Sequence, residues 1–300
     1  MVKKLKNKTA IEESFDVLSP SKQLAPIVFA SPHSGTAYPT DFIANSPLNL
    51  LALRRSEDSY VDQLFSSAPE HGFPLLRALF PRAFLDPNRE PFELDPSMFQ
   101  DTLPEYVNTG SMRVTAGLGT IPRVVSSGKK IYSNQLQFSE AAQRIDNIYR
   151  PYHKMLKKLL ENTRQTFGCY VLIDCHSVPS VGGAHDPDAG RQRPDIVLGN
   201  CFATACNEYV INFVEKIFEG FGYKVSRNKP FAGGFTTHHY GSPRSGLHAL
   251  QIEINRALYM DEKLIKPNEG MKKLNNDISE MIKSLSKIET ESLYPERNTS

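Results

Sequence analysis

Two apolar segments that each run into a histidine and a serine place the strongest limit on how this chain can fold. Residues 171–177 read Val-Leu-Ile-Asp-Cys-His-Ser, and residues 27–35 read Ile-Val-Phe-Ala-Ser-Pro-His-Ser-Gly. Apolar runs rich in β-branched residues predict buried strands, and α/β proteins bind ligands beyond the carboxyl ends of their strands. The pattern therefore predicts that His33 and His176, presented by two strands, are half of a metal site.

Strands and helices alternate along the rest of the sequence, which predicts an α/β fold with a mostly parallel, mixed sheet flanked by helices on both faces. A chain of 300 residues can form one large domain, and we predict a single α/β hydrolase domain at 25–300 after a polar N-terminal arm at 1–24. Pro151 is expected to kink the longest helix. The predicted strands are 26–30, 73–80, 171–177, 195–198, 223–226 and 248–255, and the predicted helices are 139–167, about 203–221 and a C-terminal region.

Composition and charge exclude several classes of function. A net charge of +2 gives no basic surface for nucleic acid. No apolar stretch approaches the roughly 20 residues of a membrane span, and no apolar run follows the basic start as in a signal peptide. We therefore expect a cytoplasmic protein that acts on a small molecule. The sequence does not decide its oligomeric state. The cysteines lack Cys-x-x-Cys spacing, which favours free, buried thiols; they are Cys169, Cys175, Cys201 and Cys206.

A carboxylate must complete the predicted metal site. Catalytic zinc sites typically use three protein ligands and a water, and Asp58 follows the His33 strand closely enough to be the third ligand. Glu57 and Asp62 are its rivals. The sequence Ser56-Glu57-Asp58 would also suit the N-cap and acidic first turn of a helix. Ligation and helix capping both remain open for Asp58.

The last predicted strand, 248–255, carries an acidic residue in its middle. Its period-two alternation places three polar side chains on one face, namely Gln251, Glu253 and Asn255. Burying an unpaired carboxylate is costly, so Glu253 needs a partner or a chemical role. It could act as a general base beside a metal-bound water, or it could form a salt bridge with Arg244 or Arg256.

The segment after the 73–80 strand combines features of an anion clamp. It reads Asp-Pro-Asn-Arg at 86–89, and Arg89 with Asn88 beside it could grip a carboxylate at two points. Surface turns also commonly contain arginine, so both interpretations stay open. Residues 86–135 show little periodicity and much Pro, Gly, Asn and Ser, which is typical of a binding loop or lid.

Together these motifs resemble the N-formylglutamate amidohydrolase family, whose members are zinc-dependent hydrolases distantly similar to the zinc carboxypeptidases and the aspartoacylase group. The resemblance runs in order from about Ile27 to Asp261. It also covers the Gly233-Gly234 and Tyr240-Gly241 pairs. Five motifs carry it: Ser-Pro-His33-Ser-Gly, Glu-Asp58-Ser-Tyr-Val-Asp62, Arg82 with Asp86-Pro-Asn88-Arg89, Ile-Asp174-Cys-His176-Ser, and Gln-Ile-Glu253-Ile-Asn-Arg256.

The resemblance implies a fold of the zinc-carboxypeptidase, phosphorylase/hydrolase-like type and one Zn²⁺ ion. Its ligands would be His33, an acidic residue in the Asp58 segment and His176, and Glu253 would promote attack by water. The implied reaction is hydrolysis of an N-acyl amino acid. N-formyl-L-glutamate is the expected substrate, giving formate and L-glutamate in histidine degradation. Thr36 stands where the carboxypeptidase His-x-x-Glu pattern has its carboxylate, so the acidic ligand must come from farther along.

By analogy with the Asp-Leu-Asn-Arg motif of the aspartoacylase group, Asn88 and Arg89 would bind the substrate carboxylate, with Pro87 in place of the leucine. Arg82 and Arg244 are further candidates for binding the substrate. Either of these arginines, or one of the neighbouring histidines at 238 and 239, could stabilise the oxyanion. Asp174 is a candidate partner that holds a ligand imidazole in its metal-binding tautomer.

Three alternatives remain. The first keeps the chemistry but changes the substrate to another N-acyl amino acid or a small peptide, because the irregular loops at 86–135 and 179–194 set specificity. The second is a non-catalytic module that binds a metal or an amino acid. The third is a cysteine hydrolase using Cys175 with His176; neighbouring residues of a strand point to opposite faces, which disfavours it.

Overall fold

The computed structural model describes residues 13–183, 186 and 188–294, and within them seven strands form one mixed sheet. The predicted α/β class is confirmed. In chain order the strands are β1 (Phe15–Leu18), β2 (Ile27–Ser31), β3 (Leu75–Ala78), β4 (Tyr170–Val178), β5 (Ile196–Gly199), β6 (Val225–Arg227) and β7 (Leu247–Asn255). Across the sheet they follow the order β1-β3-β2-β4-β7-β5-β6. A small hairpin, β8 (Met260–Asp261) with β9 (Lys266–Pro267), lies outside it.

Four parallel strands, β3, β2, β4 and β7, occupy the centre of the sheet. β1 and β5 add to them in the antiparallel direction, and β6 runs parallel to β5. The carboxyl ends of the central strands therefore meet at one edge of the sheet. Of the predicted polar N-terminal arm at 1–24, residues 1–12 lie outside the described part of the chain, and residues 15–18 form β1.

Helices cover both faces of the sheet, as predicted. They are α1 (Thr40–Ala44), α2 (Leu50–Leu53), α3 (Val61–Leu64), α4 (Met112–Thr115), α5 (Phe138–Arg144), α6 (Arg150–Phe167), α7 (Glu208–Gly220), α8 (Phe235–Tyr240) and α9 (Gly270–Ser284). Apolar residues of α3, α7 and α9 pack on one face; those of α5, α6 and the 86–135 segment pack on the other. None of the helices in the described part of the chain combines the length and apolar character that crossing a bilayer requires.

Alternation along β4 and β7 separates packing from chemistry. On β4, Ile173 and Cys175 join the core beneath α3, α7 and α9, so Asp174 and His176 project from the opposite face. The two strands run in register, with His176 opposite Glu253. Both polar side chains thus project from the α6 face, close to the carboxyl ends of their strands.

The long predicted helix at 139–167 is continuous, but it is not uniform. Residues Ile145–Tyr149 form a π-helical segment between α5 and α6. Pro151 follows at the second position of α6. Proline lacks an N–H and its ring crowds the carbonyl four residues earlier, and the wider π segment accommodates both. Gly168, in the left-handed region with φ 80°, ends the helix.

Two predicted helix starts are wrong. Ser56-Glu57-Asp58 does not open a helix; α3 begins only at Val61, after Tyr60 in the left-handed region with φ 68°. The helix predicted from about 203 begins at Glu208, where the side chain of Asn207 caps it. Tertiary contacts override local preference at both places. Part of the predicted 179–194 loop, residues 184, 185 and 187, lies outside the described residues, as do residues 295–300.

Candidate functional site

The three predicted metal ligands converge on one point. The Nδ1 atoms of His33 and His176 lie 3.2 Å apart, and Asp58 Oδ2 lies 3.3 Å and 3.0 Å from them respectively. All three side chains are buried. Zinc bonds of about 2.0–2.1 Å in tetrahedral geometry separate neighbouring ligand atoms by about 3.3 Å. The triangle therefore has the size that a small divalent cation requires.

A carboxylate lies beside the outer nitrogen of each imidazole. His33 Nε2 lies 2.8 Å from Asp86 Oδ1, and His176 Nε2 lies 2.9 Å from Asp174 Oδ1. A proton held at Nε2 by a carboxylate leaves the Nδ1 lone pair free for a metal. Asp174 thus lies beside the ring of His176, and its role in setting the tautomer stays a prediction. Asp86 was missed, because Asp-Pro reads as an ordinary turn.

Asp58 reaches the histidines from an irregular segment, not from a helix. Its N–H donates to the carbonyl of His33 at 3.0 Å, which anchors the segment beside the end of β2. Arg256 and Ser177 donate to its Oδ1 at 2.9 Å and 3.3 Å, which leaves Oδ2 facing the two rings. Burial alone would raise the pKa of Asp58, but the two histidines beside it hold it well below its usual range.

The two rival carboxylates point elsewhere. Glu57 is buried against Arg54 and Tyr38, whose hydroxyl donates to it at 2.7 Å. Asp62 lies 3.6 Å from the guanidinium of Arg77. Of the three acidic candidates, only Asp58 is part of the cluster.

Glu253 has one carboxylate oxygen without a partner. Its Oε1 accepts from Gln251 Nε2 at 2.9 Å, whereas Oε2 is buried and accepts no hydrogen bond from the residues that the structure describes. Burial raises the pKa of Glu253 to about 7, although His176 and Arg82 act in the opposite direction. The predicted alternative, a salt bridge to Arg256, is absent from the described residues because that guanidinium pairs with Asp58.

Asn88 links the ligand cluster to the loop before α8. Its Nδ2 lies 3.3 Å from His176 Nε2, and its Oδ1 accepts from the N–H of Thr236 at 2.7 Å. The loop comes this close because Gly234 has no side chain: a Cβ there would lie 2.3 Å from Asn88 Nδ2. The hydrogen bond from Thr236 to Oδ1 therefore fixes the orientation of the Asn88 amide.

Two arginines surround Asp86. Arg82 Nε donates to Asp86 Oδ2 at 3.0 Å, and Arg89 Nη2 lies 3.4 Å from the same oxygen. Arg89 also donates to the carbonyl of Leu118 at 2.7 Å. Burial lowers the pKa of Arg89 to about 9, which still leaves the group charged at neutral pH. Asp86 thus touches His33 with one oxygen and the two guanidiniums with the other.

A cavity of about 290 Å³ opens beside Asn88 and Arg89, close to the lower limit of about 300 Å³ for small-molecule sites. The 86–135 segment forms one wall, as predicted for a binding loop, and the residues around α8 form another. Arg113 and Cys201 also line the cavity. The sequence analysis did not assign them to the site, because the segments that carry them lack periodicity.

Comparison with known proteins agrees with this geometry. Residues 25–260 match the family model described as N-formylglutamate amidohydrolase. The chain belongs to the N-formylglutamate amidohydrolase family.

Members of this family resemble the chain over most of its length. The N-formylglutamate deformylase of Pseudomonas putida is 28% identical over 250 residues, covering 82% of this chain and 86% of the relative. That of Pseudomonas aeruginosa is 30% identical over 251 residues with the same coverage. The crystal structure of N-formylglutamate amidohydrolase from Ralstonia eutropha JMP134 superposes with a TM-score of 0.84 and 33% identity, covering 91% of this chain and 97% of that one.

Not every predicted residue lies in the site of this amidohydrolase-family chain. Arg244 is exposed in a 3₁₀ turn before β7. The strand from Leu247 to Glu253 spans about 20 Å at about 3.3 Å per residue, so Arg244 lies at the wrong end of the sheet. His238 lines the cavity, whereas the exposed His239 stacks on Phe235, with ring centroids 4.8 Å apart.

The cysteines behave as predicted from their spacing. All four are free; Cys201 is half-buried and the other three are buried. Cys175 packs in the apolar core on the face opposite His176, and burial raises its pKa well above the usual value. A thiolate nucleophile at this position is therefore excluded.

Proposed function

We propose that this chain hydrolyses N-formyl-L-glutamate to formate and L-glutamate, using one zinc ion bound by His33, Asp58 and His176. One observation carries the proposal: three buried ligand atoms lie within 3.3 Å of one another on the same sheet face as the unpartnered oxygen of Glu253. Relatives named N-formylglutamate deformylase support the substrate. The cytoplasmic location stays a prediction.

The residues fit zinc in number and kind. Two imidazoles and one carboxylate are a donor set that catalytic zinc sites use, with a fourth position left for water or substrate. Bound there, the ion would act as a Lewis acid and lower the pKa of a water molecule toward about 7. Asp86 orients the ring of His33 for this purpose by accepting from its outer nitrogen, and the carboxylate of Asp174 lies 2.9 Å from the outer nitrogen of His176.

Glu253 moves the proton. As the oxygen of the attacking water adds to the formyl carbon, Oε2 of Glu253 takes one of its protons. The carbon–nitrogen bond then breaks, and Oε2 passes that proton to the leaving nitrogen, which yields formate and a free amine. A carboxyl group with a pKa of about 7 can both accept and release a proton at neutral pH. The hydrogen bond from Gln251 to Oε1 fixes the other oxygen, so that Oε2 remains available.

Three residues orient the substrate. Arg89, with Asn88 beside it, binds the α-carboxylate, because its buried guanidinium faces the cavity next to the ligand cluster. Arg82 stabilises the charge that develops on the formyl oxygen. Against burial, Asp86 raises the pKa of the Arg82 guanidinium most, and the carboxylates of Asp58 and Glu253 are close enough to add to this effect. Removing such a donor typically lowers turnover 100- to 1,000-fold.

The decisive test combines metal analysis with a formate assay. We expect about one zinc per chain, release of formate from N-formyl-L-glutamate, loss of activity with a chelator and its return with Zn²⁺. Asp58→Asn should lose the metal. The matched control Asp62→Asn, at the second position of α3, should keep both metal and activity. An active enzyme that contains no metal, or a metal-loaded protein that releases no formate, would contradict the proposal.

A panel of substrates separates the remaining alternatives. N-formyl-L-glutamate should be cleaved faster than N-acetyl-L-glutamate and than a dipeptide with C-terminal glutamate. Faster cleavage of either competitor would indicate another N-acyl amino acid deacylase or a carboxypeptidase-like peptidase. The unpartnered oxygen of Glu253 argues against a non-catalytic binding module, because binding alone needs no base.

A further inference from the structure

One cationic side chain of the cavity has no role in the proposed reaction. Arg113 lies on α4, the four-residue helix within the 86–135 segment, and its side chain lines the cavity next to Arg89. It is exposed, and within the described part of the chain it makes no ion pair. An unpaired guanidinium at the rim of a substrate cavity is suited to a carboxylate.

Neither acidic residue of the cavity wall forms an ion pair with Arg113 among the described residues. Glu93 is buried and accepts a short hydrogen bond from Ser111, the residue that caps α4. Glu90 accepts from Asn108 at 2.9 Å. These contacts hold α4 over the cavity and leave the guanidinium of Arg113 available to a ligand.

Arg89 and Arg113 are close enough to influence one another. After burial and the opposing effect of Asp86, the charge of Arg113 is the next largest influence on Arg89, and it lowers the pKa of that group. Two guanidiniums that face one cavity repel each other. A ligand carboxylate beside Arg113, which has no ion-pair partner among the described residues, would relieve this repulsion.

Arg89 and Arg113 differ in burial in the way that the two carboxylates of an N-formyl dicarboxylic amino acid differ in distance from the amide nitrogen. Its α-carboxyl carbon lies two bonds from the amide nitrogen, and the side-chain carboxyl carbon of the glutamate derivative lies four bonds away. Arg89 is buried and follows Asn88, which touches His176, so it is near the scissile bond. Arg113 is exposed and therefore farther out.

We propose that Arg113 binds the side-chain carboxylate of the substrate and so selects acidic N-formyl amino acids. This inference rests on the proposed function, and it assigns specificity to the 86–135 segment. N-formyl-L-glutamine has the same shape as N-formyl-L-glutamate but lacks the side-chain charge, so comparing the two substrates isolates the contact.

The test measures kcat and KM for both substrates with the zinc-loaded wild type, Arg113→Gln, Arg113→Lys and the control Arg150→Gln. Arg150 is an exposed surface residue paired with Asp146 and lies outside the cavity lining. The wild type should favour N-formyl-L-glutamate by roughly 10- to 100-fold in kcat/KM. Arg113→Gln should lose that preference through a higher KM, with N-formyl-L-glutamine within about twofold of wild type. Arg113→Lys should restore part of it, and Arg150→Gln should match wild type.

The outcomes separate this inference from the proposed function. If the wild type releases formate from neither substrate, the proposed function fails and the inference fails with it. If the wild type is active but does not discriminate, or if Arg113→Gln lowers kcat/KM equally for both substrates, only the inference is overturned. Because Arg113 is exposed, all variants should keep the wild-type melting temperature.

Discussion

The metal-ligand cluster and the cavity beside it are built in contrasting ways. The cluster comes from residues at or next to the ends of β2 and β4. Every ligand is buried, and further hydrogen bonds hold His33 and Asp58. The cavity wall comes from the 86–135 segment and the residues around α8, and it includes the exposed side chains Arg113 and His238. The contrast indicates that the sheet fixes the chemistry, whereas the loops select the substrate.

The largest effect should follow from removing an imidazole of the cluster. His33→Ala and His176→Ala should lose the bound metal and essentially all formate release, because two protein ligands cannot replace three. His71→Ala is the control, since His71 pairs with Ser279 on the other side of the sheet. Metal content by mass spectrometry and a formate assay check this. A variant that kept one zinc per chain would show that the ring is no ligand.

The next largest effect should follow from removing the general base, Glu253. Glu253→Gln should lower kcat by about 100- to 10,000-fold and leave the metal content unchanged, because Glu253 contacts none of the three ligand atoms among the described residues. The amide keeps the shape of the carboxylate but cannot take a proton. Kinetics and metal content measured on the same preparation provide the check. Full activity in this variant would remove Glu253 from the mechanism.

Asp86 and Asp174 test whether the metal-ligand cluster and the cavity are separate, because of these two residues only Asp86 contacts both. Asp86→Asn and Asp174→Asn should each weaken metal affinity by about 10- to 100-fold. Asp86→Asn should also raise KM, since its other oxygen holds Arg82 and Arg89. Metal titration and KM measured with saturating zinc distinguish the two effects. Equal KM values for the two variants would mean that Asp86 does not position the arginines.

The smallest effect concerns His153, which supports only the cavity side. It bonds to the carbonyl of Pro87 and to the hydroxyl of Tyr240, both at 2.8 Å. His153→Phe should raise KM about two- to fivefold and leave metal affinity unchanged, because each of the two lost neutral hydrogen bonds corresponds to only about 0.5–1.5 kcal/mol and neither involves a metal ligand. A change in metal affinity instead would show that the two regions are not separable.

His153 also makes a pH prediction. Burial lowers its pKa from 6.5 to about 4, so the unfolded chain binds a proton there more readily than the folded chain does. The contribution of the neutral His153 ring to the free energy of unfolding is complete above pH 6.5 and is lost as the pH falls toward 4. Chemical denaturation should therefore show a shallower loss of stability across this range for His153→Phe than for wild type. Parallel curves would assign the acid sensitivity to other groups.

Sequence alone was sufficient where strand geometry decides the outcome. The positions of His176 and Glu253 follow from the period of two along β4 and β7 and from the shared direction of parallel strands. Asp58 was identified as a candidate, but its helix-cap interpretation was wrong, because hydrogen bonds to His33, Arg256 and Ser177 fix the segment more strongly than local preference does.

Long-range contacts explain the rest. Asp86 looked like part of a turn, and its bond to His33 spans 53 positions of the chain. Arg244 looked close to Glu253 because the two are near in sequence, yet an extended strand separates them. Arg113 lies in a segment without periodicity, where no pattern shows which side chains face inward. Such residues can be assigned only once the fold is known.

The close fit of Gly234 against Asn88 matters for anyone who wishes to redesign this enzyme. Even a methyl group at that position would sit 2.3 Å from the amide nitrogen, so the inner end of the cavity cannot be enlarged or reshaped by mutating the glycine. Libraries aimed at new N-formyl amino acids should instead vary the exposed surface of α4, where diversity leaves the reacting groups undisturbed.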